Sequence, residues 1–290
     1  MHGRKKVPID EAKKIQLAQK TKKLAQLCNS SLEALNDPEQ YEAFINGTLP
    51  ILDYLDDFAT LWNKRKEEFL KKEPTLENLQ KELQLTERIL YRNNKSYFAF
   101  HHRRWCIELV PEYDCSAEVI QCDKLLSLDE RNFHAWRHKR WAIARIKEAK
   151  PEEAEKLSKT EFEKITKMIE ANTGNYSAWH YRSQLPLQDF QAEIELAKSA
   201  FWTEPLDQSP WIYYRWLLNR PIISENKDLL REELEQMKEL CEEEPKAKYP
   251  ILATLWILRK LPDANEEEIK ALKEKLSQLD PIRSAYYQEQ

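Results

Sequence analysis

Glycine is almost absent from this chain: 290 residues contain three, Gly3, Gly47 and Gly174. Sheets place glycine in their turns, and phosphate-cradling loops need it where backbone approaches a ligand, so its scarcity argues against both. Cysteine is sparse and unpatterned. Cys28, Cys106, Cys115, Cys122 and Cys241 are odd in number and form no C-x-x-C pair, which excludes a disulfide framework or zinc knuckle and fits a reducing compartment. The most apolar run, residues 249–258, falls far short of the ~20 residues that span a bilayer. The N-terminus is basic with no apolar core, so it is not a secretory signal. No G-x-S-x-G, phosphate-loop motif or informatively spaced Cys–His pair occurs, and the chain supplies no nucleophile of its own. A net charge of -4 points away from nucleic acid. These absences leave a cytoplasmic all-α protein with no transmembrane segment.

What is abundant is charge, 33% of residues, and it is unevenly placed. Residues 1–24 carry net +6, leaving -10 for the rest. A basic tip of this kind suits an acidic partner or membrane surface, or is a solvated helix face.

The aromatic residues expose an internal repeat. Aligned on Trp62, Phe100, Trp136, Trp179 and Trp211, five similar strings recur at steps of 38, 36, 43 and 32 residues. Trp136 and Arg140 lie four apart and so share a helix face, with Phe133 one turn earlier. The pattern predicts stacked helical hairpins. The first helix of each buries the aromatic ring, and the recurring basic residue lies along that ring or reaches a carboxylate. Residues 76–90, 117–126, 162–169 and 192–200 read as the second helices. No unit buries its face alone, so the stack is needed for stability. The 43-residue step is accounted for by a charged surface excursion over residues 147–156, around Pro151. A helical arm precedes the repeats. Helices are predicted over residues 227–243 and 265–279, the latter capped by Asp263 or Asn265, and residues 279–287 read as a terminal half-repeat. The expected organisation is a basic helical N-terminal arm, residues 1–34, then one helical-repeat domain, residues 35–290.

Several strings carry a more specific signal: Lys95-Ser96-Tyr97 with His101-His102-Arg103, Asp129-Glu130-Arg131-Asn132-Phe133-His134-Ala135-Trp136, Asn175-Tyr176-Ser177-Ala178-Trp179-His180-Tyr181-Arg182-Ser183 and Asp207-Gln208-Ser209. They resemble the repeats of the protein prenyltransferase α-subunit family, relatives of the tetratricopeptide pattern. Met1-His2-Gly3-Arg4, without a Pro-rich lead, is similar to the Rab geranylgeranyltransferase (type II) branch. The resemblance implies an α-α superhelix, a right-handed solenoid of hairpins, wrapped around a β subunit that holds the catalytic zinc. It implies transfer of geranylgeranyl from geranylgeranyl diphosphate to C-terminal cysteines of Rab GTPases presented by a Rab escort protein. The readings kept beside it are the α subunit of farnesyltransferase and geranylgeranyltransferase type I, and a non-catalytic helical-repeat adaptor.

The resemblance also implies site residues. Lys95 stands where the family's α-subunit lysine reaches the isoprenoid diphosphate, whose charge grows as its carbon–oxygen bond breaks; the helix N-terminus beside it would add N–H donors. The other reading of Lys95 is a surface lysine. Tyr97 would hydrogen-bond diphosphate or substrate backbone, or is an ordinary repeat aromatic. His134 would touch substrate or zinc-bound groups, or is a packed histidine. Asn132 and Phe133 would shape the same cleft, Phe133 replacing a frequent tyrosine. His2 would reach the partner's zinc as a removable plug, or has no such role. No metal is expected within this chain: His134 and His138 are spaced i, i+4, but His138 aligns with Lys64, His102, Tyr181 and Tyr213 of the other copies, a position used for packing.

Overall fold

The structure, a computed structural model, describes residues 10–33, 41–71, 74–187 and 189–289. Every regular element among them is helical: α1 (Glu11–Glu33), α2 (Tyr41–Leu52), α3 (Ala59–Lys71), α4 (Leu76–Arg92), α5 (Tyr97–Leu109), α6 (Ser116–Leu128), α7 (Phe133–Ala149), α8 (Ala154–Ala171), α9 (Tyr176–Arg182), α10 (Phe190–Thr203), α11 (Gln208–Leu218), α12 (Pro221–Ser224), α13 (Lys227–Glu243), α14 (Lys248–Leu258), α15 (Glu266–Leu279) and α16 (Ser284–Glu289). The helices begin where short polar side chains can replace the missing first-turn acceptors. Thr75, Ser96, Asn175, Asp189, Asp207, Asn226 and Asn265 each accept a backbone N–H from the turn that follows, each cap contributing about 1 kcal/mol. Asn265, rather than Asp263, caps α15.

The chain divides into two compact units at residue 150. The division falls inside the charged stretch 147–156, where Pro151 opens a short 3-10 turn. In the first unit, α1 packs on α2, α4 on α5 and α6 on α7, while α3, α5 and α7 form a row of first helices. In the second, α8 packs on α9, α10 on α11 and α13 on α14, and α9, α11 and α14 form the corresponding row. Gly47 leaves room for α1 beside α2, because a Cβ there would stand 2.6 Å from Ser31 Oγ. α2 has no counterpart in the sequence reading. α13 and α15 match the predicted spans, and the residues read as a half-repeat form α16 behind a turn at Pro281.

The register of the repeats has a concrete meaning. Trp62, Phe100, Trp136, Trp179 and Trp211 are all buried. The four indoles donate to the carbonyl six residues earlier, at Asp56, Glu130, Thr173 and Pro205, over 2.7, 2.9, 2.8 and 3.0 Å. The ring is thus placed in the core while its one polar atom is satisfied by the loop before its own helix.

Buried glutamates form a second register. Glu82, Glu118, Glu161 and Glu193 stand on the second helices α4, α6, α8 and α10. Each accepts a hydrogen bond from the residue twenty positions later: His102 (2.7 Å), His138 (2.8 Å), Tyr181 (3.3 Å) and Tyr213 (2.5 Å). Three also take an arginine from the preceding first helix. Arg65 pairs with Glu82, Arg103 with Glu118 through two 2.7 Å bonds, and Arg182 with Glu193 through bonds of 2.6 and 2.8 Å. One carboxylate therefore ties the second helix to the first helices on either side. Burial alone would raise the Glu118 carboxyl, but hydrogen bonds from His138 and Arg103 and the arginine's charge hold it at about 2. Glu82 is held at about 2 in the same way by Arg65 and His102. Of the two roles expected for the recurring basic residue, the one three positions after Trp62, Phe100, Trp136 and Trp179 takes the carboxylate.

Candidate functional site

The loops before α5 and α7 are stitched together by Asn132. Its Oδ1 caps α7, accepting the N–H of His134 and of Ala135 at 3.1 Å each, and its Nδ2 donates to the Asn94 carbonyl, one residue before Lys95. Asn132 is buried, so this contact fixes the loop that carries Lys95 against the start of the helix that carries His134. The sequence reading gave Asn132 a share in shaping the cleft; its action is on the backbone.

Lys95, Tyr97 and His134 come together there. The Tyr97 and His134 rings stand 5.8 Å apart, edge to face, and His134 also stacks near Phe100 at 6.0 Å. Tyr97 is 45% exposed and Phe133 66% exposed, both larger rings at helix starts facing outward. The Lys95 ammonium lies 2.6 Å from Asp129 Oδ2, with its side chain 62% exposed. Partial burial pushes the His134 imidazole below its ordinary value, opposed by Asp57 and reinforced by the charges of Arg137 and Lys95. It is therefore neutral at neutral pH and able to donate or accept.

The α5 N-terminus is less open than the sequence suggests. Asp57 Oδ1 accepts the Phe98 N–H at 3.2 Å and the Ser96 hydroxyl at 2.9 Å, and Ser96 Oγ takes the Ala99 N–H. Donors expected to face a phosphate are already engaged by the chain's own side chains, which leaves Lys95 as the main cationic contribution of this loop.

Beside these residues, α5 and α7 enclose a cavity of about 390 Å³. Tyr97 and His134 line it with His101, Arg104, Arg137 and Trp141; Lys95 is outside the lining, yet its charge is felt at His134. Lys66 donates to His101 Nδ1 over 2.9 Å, and burial lowers its ammonium from the ordinary value. Sequence reasoning gave no part in this cleft to Lys66, His101, Arg104 or Arg137. A signal was present in the position four after three of the five rings: Lys66 lies over Trp105 at 5.5 Å, Arg104 over Trp141 at 4.9 Å and Arg215 over Trp256 at 4.9 Å. In each case a cation of one copy covers a tryptophan of the next, and along α3, α5 and α7 this leaves a face of half-exposed cations and rings.

His138, paired with Glu118, is not positioned as a metal ligand with His134. Among the described residues, no group of three His, Cys, Asp or Glu side chains is arranged to hold a metal ion. No helix among them is long and apolar enough to cross a membrane. His2 lies outside the described residues.

With this geometry in place, comparison with known proteins is informative. The family profile described as "Protein prenyltransferase alpha subunit repeat" matches residues 79–110, 115–146 and 158–187. The geranylgeranyl transferase type-2 subunit alpha of Dictyostelium discoideum is 33% identical over 306 residues, covering 99% of this chain and 98% of that protein. The bovine subunit of the same name is 37% identical over 257 residues, covering 80% of this chain and 43% of its own length. The chain thus spans less than half the length of the mammalian relatives it matches. In structure, a chain of Candida albicans protein geranylgeranyltransferase-I, complexed with GGPP, superposes with a TM-score of 0.69 over 93% of this chain and 89% of that one. At 21% identity that likeness shows the fold, the α-α superhelix class expected from the repeat.

Proposed function

The chain belongs to the protein prenyltransferase α-subunit family, and from that premise we propose that it is the α half of a heterodimeric geranylgeranyltransferase of the type serving Rab GTPases. Its partner in this reading is a β subunit that holds the zinc. The pair transfers geranylgeranyl from geranylgeranyl diphosphate to C-terminal cysteines of a Rab presented by an escort protein. The observation that carries the proposal is the gathering of Lys95, Tyr97 and His134 at the starts of α5 and α7, in a chain that aligns end to end with a type-2 α subunit.

The chemistry follows from the residues. Lys95 offers a solvated ammonium to the diphosphate, which gains negative charge as it leaves. Tyr97, half exposed at the first position of α5, offers a hydroxyl to the same group or to substrate backbone. Neutral His134 serves as a donor or acceptor toward the substrate. Zinc, bound by the partner, would lower the pKa of the substrate thiol so that it attacks as thiolate. The cation-and-ring face along α3, α5 and α7 supports a large covering partner, because Trp105 and Trp141 are only partly buried in this chain. His2, as a ligand to the partner's zinc, remains part of the proposal.

Co-expression tests the reading. The chain with a type-2 β subunit is expected to purify as a stable zinc-containing pair. That pair should prenylate a Rab with its escort protein and leave a CaaX peptide unmodified. Activity on the CaaX peptide alone would move the chain to the farnesyltransferase and type I branch. A chain that remains monomeric beside every β subunit would be an adaptor.

A further inference from the structure

The outer helices α4 and α6, with Arg103 of α5, enclose a second groove of about 420 Å³ that shares no lining residue with the cleft between α5 and α7. Gln80 and Gln84, one turn apart on α4, and Gln121 on α6 all line it. Gln121 is 7% exposed, and its Nε2 has no hydrogen-bond partner among the described residues. A buried amide without a partner is costly, by about 1–3 kcal/mol, and is uncommon in folded proteins. Two apolar side chains stand over the groove: Ile120 is 57% exposed and Tyr91 46% exposed.

The charges set the kind of ligand. Glu87 and Lys124 both line the groove, one of each sign. The floor residues Arg103 and Tyr113 are already bonded to Glu118. No free cation cluster is present to attract a diphosphate, a nucleic acid or an anionic lipid surface. What remains to recognise a ligand is amide chemistry beside apolar surface. A glutamine side chain carries one carbonyl and one NH2 in a plane, the complement of a peptide group. Three of them along a groove with apolar anchors match an extended peptide whose main chain lies between the helices and whose apolar side chain rests on Ile120 and Tyr91.

We propose that the α4–α6 groove binds an extended peptide segment of a partner protein, its main-chain amide paired to Gln121. This goes beyond the proposed transferase site and does not depend on it, since the groove shares no lining residue with the cleft.

The test is a random dodecapeptide phage library selected on the full chain and counter-selected on Ile120→Asp. Peptides that survive are synthesised and titrated against the wild type, Gln121→Leu and Ile120→Asp. Each variant is expected to weaken binding about tenfold or more, the effect of one buried hydrogen bond or apolar anchor. Replacing the peptide amide whose carbonyl accepts from Gln121 Nε2 by a trans-alkene isostere, which removes that carbonyl, should cost as much in the wild type and nothing further in Gln121→Leu. Ile120 faces solvent, so its variant folds whatever Gln121→Leu does. Selection of no peptide that distinguishes Ile120→Asp, wild-type affinity in either variant, or an isostere penalty undiminished in Gln121→Leu would each overturn the proposal.

Discussion

Lys95 is paired with Asp129 across two loops: its Nζ lies 2.6 Å from Oδ2, while Asp129 Oδ1 accepts the Arg131 N–H at 3.1 Å. The Lys95 hydrogen bond lowers the Asp129 carboxyl below its ordinary value. The lysine proposed to meet the diphosphate therefore has a resident counter-charge. Because its side chain is largely solvated, the pair is weak, about 0–1 kcal/mol, and a diphosphate can take Asp129's place.

Lys95→Ala is expected to slow single-turnover transfer by roughly 30- to 150-fold, equivalent to ~2–3 kcal/mol in the transition state. Its unfolding free energy in urea should stay within ~0.5 kcal/mol of the wild type, as for other solvated positions. Rapid-quench kinetics on the heterodimer would measure the first and equilibrium unfolding the second. Unchanged kinetics would remove Lys95 from the site.

Asp129→Asn separates the two roles of that carboxylate. The amide still accepts the Arg131 N–H but no longer competes for the Lys95 charge. Geranylgeranyl diphosphate should bind the variant heterodimer up to about fivefold more tightly, the worth of one exposed ion pair. Weaker binding in a fluorescence titration would mean instead that Asp129 holds Lys95 in its useful position.

Glu118→Gln leaves the Arg103 guanidinium buried without its counter-charge, and should destabilise the fold by about 3–5 kcal/mol. Replacing both, Arg103→Met with Glu118→Leu, should recover most of that loss, since neither charge is then stranded. Urea unfolding of the single and double variants distinguishes the outcomes; equal losses in both would show that packing, not the charge, is what Glu118 contributes.

Glu82 and Glu118 also set the acid limit. Each carboxyl drops from an ordinary 4.5 to about 2 in the folded chain. The folded state thus binds fewer protons than the unfolded one between those values. The stability this confers, roughly 3 kcal/mol for each buried carboxylate, is complete above about pH 4.5 and drains as pH falls toward 2. A series of unfolding curves across that window should show the loss, and Glu118→Gln should flatten it; a slope unaltered by the substitution would refute the assignment.

The repeats could be read from the chain because their signals are local. Ring spacing places Trp62, Phe100, Trp136, Trp179 and Trp211 on buried faces, and short polar side chains such as Asn226 and Asn265 mark helix starts. The site was only partly legible. Lys95, Tyr97 and His134 were named from strings, while Arg104 and Arg137 looked like any surface arginine until α5 and α7 enclosed a cavity between them.

The sequence by itself determined the all-α class, the hairpin period and which ring of each copy is buried, since amphipathic spacing and the scarcity of glycine act within a few residues. Tertiary structure decided which of the 50 acidic side chains are buried, that Asp57 occupies the start of α5, and that Lys95 meets Asp129. Those pairings join residues 11 to 41 positions apart. A glutamate on a buried helix face and one on a solvated face are the same letter, and only the packing of neighbouring helices tells them apart.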